Sequence, residues 1–83
     1  MKLPRIKHLQ KNNSKEELEN TVKVLENFTE HRSIKDEEMD VVGDLITDLC
    51  GAIEVHEMIA DGVPEKKAPN QFAQKVLGSI DRQ

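Results

Sequence analysis

From Lys35 to Ala60 the chain runs without a proline, and apolar residues recur every three or four positions. That period sets Met39, Val42, Leu45, Ile46, Leu49, Ile53, His56 and Ile59 along one side of an α-helix, widened by Val41, Ala52 and Val55. Ser33-Ile-Lys-Asp36 reads as a capping box at its start, and Gly62 supplies the C-cap region. A helix over 35–60 is roughly 40 Å long. A compact domain of this length has a radius of gyration of about 12 Å. Either the helix overhangs its own domain or a second copy packs along the excess.

The remaining punctuation is also helical. Pro4 suits a first helical turn, and Leu3, Ile6 and Leu9 follow at threefold spacing, which predicts a helix over 3–12 with Asn12-Asn13 as its stop. Ser14-Lys-Glu-Glu17 is a capping box opening a helix over 15–31, with Leu18, Val22, Leu25 and Phe28 on one face and His31-Arg32 at its negative end. Pro64 to Lys67 allows a single turn. Pro69 would break a helix interior, so the last helix is placed at 69–80, with Phe72, Ala73, Val76, Leu77 and Ile80 on its face. No alternating β-branched run and no Asn-Gly hairpin turn is present. The expected fold is a single all-α domain over 1–83, a three- to four-helix bundle around one long helix.

Such a bundle has little to bury. Hydrophobic residues are 36% of the 83, and Phe28 and Phe72 are the only aromatics. Large aromatic side chains normally contribute much of a core's buried area. Small domains with thin cores are marginal alone, which favours an oligomer, most simply a homodimer. Gly43, Thr47, Cys50 and Gly51 form a small-residue strip beside Ile46. With Val42, Leu49, Ile53 and His56 this strip is the candidate interface. The strip suits close approach of another helix; a mild bend or an exposed glycine explains it equally well.

Net charge is −4, against a surface that grips nucleic acid all over. The charge is uneven. Residues 1–15 carry Lys2, Arg5, Lys7, Lys11 and Lys15 with no acid, while all sixteen acids lie beyond them. Asp40, Asp44 and Asp48 form an i, i+4, i+8 stripe, a spacing at which like charges destabilise a helix. A solvated face is the simple reading. The alternative is electrostatic docking of Lys2, Arg5, Lys7 and Lys11 onto Asp40, Asp44 and Asp48, within one chain or between two. The basic segment could also meet nucleic acid or a membrane surface, but it is short and has no aromatic anchor.

Glu54-Val-His56-Glu57 invites a catalytic or metal reading, which helical spacing argues against. Residues sharing the His56 face are Ala52, Ile53, Ile59 and Ala60, so His56 is expected to be a packed, hydrogen-bonded histidine. His8 and His31 show no zinc spacing with it. Cys50, the single cysteine, has no Cys-x-x-Cys partner and reads as a small buried hydrophobe. One cysteine and no apolar leader suggest a cytoplasmic protein, and no apolar run approaches a membrane span. No phosphate-cradling loop or activated nucleophile is evident, so no catalytic residue, metal or cofactor is expected.

The opening MKLPRIKHL, the central SIKDEEMDVVGDLITDLCGAIEVHEMI and the tail NQFAQKVLGSIDR resemble a small uncharacterised family of short helical proteins from Bacteroidetes, over nearly the full length. The resemblance implies a cytoplasmic bacterial protein without an assigned activity. It also implies gene neighbours of the thioredoxin and peroxiredoxin type. In the family an aromatic residue stands where this chain has Cys50, which weakens a redox role for that thiol. An acidic residue and alanine stand near Ala68-Pro69, where the last helix starts earlier. The expected function is a non-enzymatic, homo-oligomeric interaction or adaptor module. An accessory of a thiol-redox system and a nucleic-acid or membrane-surface binder are the alternatives.

Overall fold

The computed structural model describes residues 2–81, with side chains to Leu77; the expected core residue Ile80 lies outside the described side chains. Four helices make up the fold: α1 (Leu3–Asn12), α2 (Lys15–Thr29), α3 (Asp36–Ala60) and α4 (Ala68–Asp81). No strand occurs among the described residues, and the fold is all-α.

The helix ends follow their caps. The Ser14 hydroxyl accepts from the Glu17 N–H at 3.1 Å, and the Glu17 carboxylate accepts from the Ser14 N–H at 2.8 Å, a complete capping box. At the start of α3 the cap shifts by two residues from the expected Ser33. Lys35 is the N-cap, and Glu38 accepts its N–H at 3.0 Å. An ammonium cannot accept in return, so only the glutamate half of the box operates. Ser33 instead serves the connecting loop: its hydroxyl lies 2.7 Å from His31 Nδ1. α2 closes at Thr29, leaving His31 and Arg32 outside the helix.

α3 ends in a Schellman motif. Val63 N–H donates to Met58 C=O and Gly62 N–H to Ile59 C=O, each at 3.0 Å, while Gly62 takes φ +108°. Met58 and Val63 both pack at the edge of the core. A turn from Pro64 then leads into α4, whose first turn holds the buried Pro69.

Arg5 meets Asp48, and Asn13 meets His56, so α1 runs parallel to α3. Lys15 meets Glu57, and Phe28 shares a recess with Val41 and Val42, so α2 runs antiparallel. The core is Ile6, Leu18, Leu49, Ala52, Val55, Ala68 and Phe72. Every buried residue of α3 lies between Asp48 and Val55. The ten residues of α1 cover about 15 Å and the fifteen of α2 about 22 Å, against about 37 Å for the twenty-five of α3. The long helix overhangs: the molecule measures 42 × 32 × 18 Å, with a radius of gyration of 13.9 Å. Met39, Val41 and Leu45, expected on the buried side, are exposed for this reason.

Candidate functional site: an open notch beside the first half of α3

α1 delivers one charged side chain to α3. Arg5 lies 2.5 Å from Asp48, whose side chain is only 3% exposed, while that of Arg5 is 50% exposed. A carboxylate so enclosed requires its cation. Of the seven residues expected to dock electrostatically, this is the one pair brought together. Lys7 and Lys11 turn the other way and line a shallow recess with Glu65, Lys66 and Pro69. Lys2 is the exposed N-cap of α1. Asp40 is exposed, and Asp44 lines a groove. Among the described residues no ion pair holds either aspartate.

That groove lies between α1 and α3. Pro4, Arg5, His8 and Leu9 form one wall and Val41, Asp44, Leu45 and Asp48 the other, enclosing about 600 Å³. On the far side of Val41, Phe28 of α2 lines a second recess with Glu37, Glu38 and Val42. Val41, Phe28 and Leu45 are 67, 46 and 40% exposed. The two recesses share Val41 as a common wall and together make up an open notch along the first half of α3, with its carboxylates on α3. In the second half of α3 the same stripe is capped by Ile6 and Leu18. Beyond the start of α1, Met39, Val41 and Leu45 are exposed, while Val42 and Ile46 remain half-buried.

The expected interface residues separate into two groups. Leu49 is buried and Ile53 packs against the core. A Cβ on Gly51 would stand 2.7 Å from Ile6 Cδ1 and 3.4 Å from Phe72 Cε2, so its close approach serves α1 and α4 of the same chain, not a second subunit. Gly43 has nothing within 4 Å of such a Cβ, and the Thr47 hydroxyl donates to the Gly43 carbonyl at 2.9 Å. Val42 and Ile46 are half-buried beside α2. Cys50 is exposed rather than buried. Partial desolvation of its thiol against the helix surface, and after that the Glu26 charge, push its pKa above the ordinary value.

Each histidine has a local partner. His56 Nε2 lies 2.8 Å from the Asn13 carbonyl, which can only accept, so Nε2 carries the hydrogen and tethers the α1–α2 turn to α3. His31 engages Ser33, and His8 lies 3.4 Å from Asn12 Nδ2. Glu57 points away from His56 and pairs with Lys15 at 3.3 Å. No group of three metal-ligating side chains converges among the described residues, and no helix is long and apolar enough to cross a membrane.

A model of a family of unknown function (DUF6952) matches residues 1–81. The chain belongs to that family. No curated protein and no solved structure matches the chain.

One residue that matters here carries no motif in the sequence. Gln10 is buried on α1, one turn after Ile6; its Nε2 lies 3.5 Å from Glu65, and its Oε1 finds no donor among the described residues. The i+4 spacing from Ile6 carried that signal. Phe28, on the expected apolar face of α2, is half-exposed and forms a wall of the notch.

Proposed function

We propose that the chain is a non-enzymatic protein-interaction module, with the notch beside the first half of α3 as its docking surface. The carrying observation is the placement of the exposed large apolar residues. Of the six exposed large apolar residues among the described ones, Phe28, Val41 and Leu45 line two recesses that share Val41, while Val24, Met39 and Leu77 lie outside them. Scattered surface hydrophobes need no explanation, but a contiguous apolar strip between polar rims does. A groove between helices receives an amphipathic helix through apolar anchors at i, i+3 and i+4.

A homodimer is the second reading, favoured by the overhang of α3 and by the small one-ended core. Light scattering coupled to size exclusion, over a range of concentrations, distinguishes the two readings. A dimer dissolved by Val41→Asp gives the notch to a second copy. A monomer leaves the notch open to another protein. A dimer indifferent to that substitution rejects the notch as the self-association surface.

The thiol-redox reading draws no support from Cys50, whose raised pKa keeps the thiolate scarce at neutral pH. The nucleic-acid or membrane-surface reading is weakened by Arg5, which is spent on Asp48. A bacterial, cytoplasmic setting is part of the proposal; the single cysteine is consistent with it.

A further inference from the structure

We infer that the notch receives a cationic amphipathic helix from a different protein, an inference that rests on the interaction-module reading. Charge selects this occupant. Residues 36–48 carry six acids (Asp36, Glu37, Glu38, Asp40, Asp44 and Asp48) and no base. Arg5 neutralises Asp48, which leaves five. Glu37 and Glu38 edge the recess at Phe28, and Asp44 lines the groove between Leu9 and Leu45. The carboxylates all stand on the α3 wall, while the α1 wall carries His8 and an Arg5 already paired with Asp48. An incoming helix gains most from Leu- or Ile-like anchors on Val41, Leu45 and Phe28, with Lys or Arg one turn away to meet Asp44 and Glu37.

A second copy meets this requirement poorly. In a two-fold dimer the same patch faces itself, so the acids of one α3 approach the acids of the other. The one strongly basic helix of the chain is α1, and its apolar side is already consumed by its own core through Ile6 and Leu9. The copy has no basic helix with a free apolar face to offer among the described residues.

The notch also has the dimensions of a helix. α1 covers only about 15 Å of the roughly 37 Å of α3, so α3 continues past the start of α1 for about two to four turns. An occupant of that length completes the three-helix cross-section seen around Leu49 and Ala52.

Two synthetic helical peptides with one Leu stripe test the proposal, one carrying Lys and the other Glu on the flanks. Each is titrated into the full chain at low and moderate salt, with binding read by fluorescence anisotropy and the contact mapped by amide chemical shifts. The Lys peptide is expected to bind, to shift residues around Phe28, Val41 and Leu45, and to weaken as salt rises. The Glu peptide is expected not to bind. Val41→Asp should weaken binding about tenfold or more, through lost apolar contact. Asp44→Ala should weaken it about two- to fivefold, as for a rim ion pair. Circular dichroism checks that both exposed-site variants keep their helices. Equal binding of the two peptides at the notch overturns the cationic selection and leaves the docking surface standing. Shifts confined to other faces, or binding of neither peptide by a monomeric chain, overturn both. A dimer dissolved by Val41→Asp assigns the notch to a second copy and overturns the proposal.

Discussion

Arg5 at the start of α1 pairs with Asp48 in the middle of α3, and this contact ties the beginning of one helix to the centre of the other. Replacing Arg5 alone strands a buried carboxylate. Arg5→Ala is expected to destabilise by roughly 1–3 kcal/mol, less than for a fully enclosed pair because the guanidinium is half in solvent. The joint variant Arg5→Met, Asp48→Leu should recover most of that loss. Denaturant unfolding of the two singles and the double measures the coupling.

The two glycines inside α3 should respond oppositely to alanine. Gly43→Ala enters open space and should stabilise by about 1 kcal/mol through helix propensity alone. Gly51→Ala gains the same propensity but drives a methyl into the fully buried Ile6, with Phe72 in van der Waals contact behind it. Overpacking of this kind costs roughly 1–3 kcal/mol, so a net loss of stability is expected. Thermal unfolding of both variants, side by side, gives the sign of each.

Caps supply a third contrast. Ser14→Ala removes a hydroxyl that accepts from Glu17 N–H and should cost about 1 kcal/mol. Ser33→Ala removes no helix cap and should stay within about 0.5 kcal/mol. The Ser14 backbone N–H, and then its side chain, hold the Glu17 pKa below the ordinary 4.5. A carboxylate with a lowered folded pKa adds stability above its unfolded value and loses it as pH falls through the folded one. Glu17→Gln should therefore flatten the fall in stability below about pH 5, which acid titration followed by circular dichroism reads.

Cys50 should behave as a sluggish thiol despite its exposure. Iodoacetamide at neutral pH is expected to label it more slowly than a free cysteine peptide, and Glu26→Gln should speed the reaction by lifting the charge that disfavours the thiolate. Labelling as fast as the peptide would contradict this account of the site.

Local signals carried much of the fold. Caps and apolar spacing placed all four helices because each depends on residues three or four apart. What they could not carry was lateral placement. Gly43 and Gly51 look alike in the sequence, and only the arrival of Ile6 and Phe72 beside one of them makes them differ. The apolar stripe of α3 is continuous from Met39 to Ile59, so periodicity alone marks all of it as core. Which half is covered depends on the short reach of α1. The acidic stripe was visible as a docking candidate, but the choice of Asp48 over Asp44 follows from the parallel packing of α1. The Ser33 box failed because His31 competes for the same hydroxyl and Glu38 offers a reciprocal bond two residues later.

The two halves of α3 live in different environments, one packed into the core and one with Met39, Val41 and Leu45 exposed. Amide hydrogen exchange of the free chain at several concentrations tests this difference most directly. Segments with few buried contacts open more readily than those in the core. The amides of residues 39–46 should exchange faster than those of 49–58 at every concentration, and should slow when the Lys-flanked peptide is bound. Uniformly slow exchange along the whole of α3 in the dilute free chain would contradict the account, because it would mean that the first half is already covered.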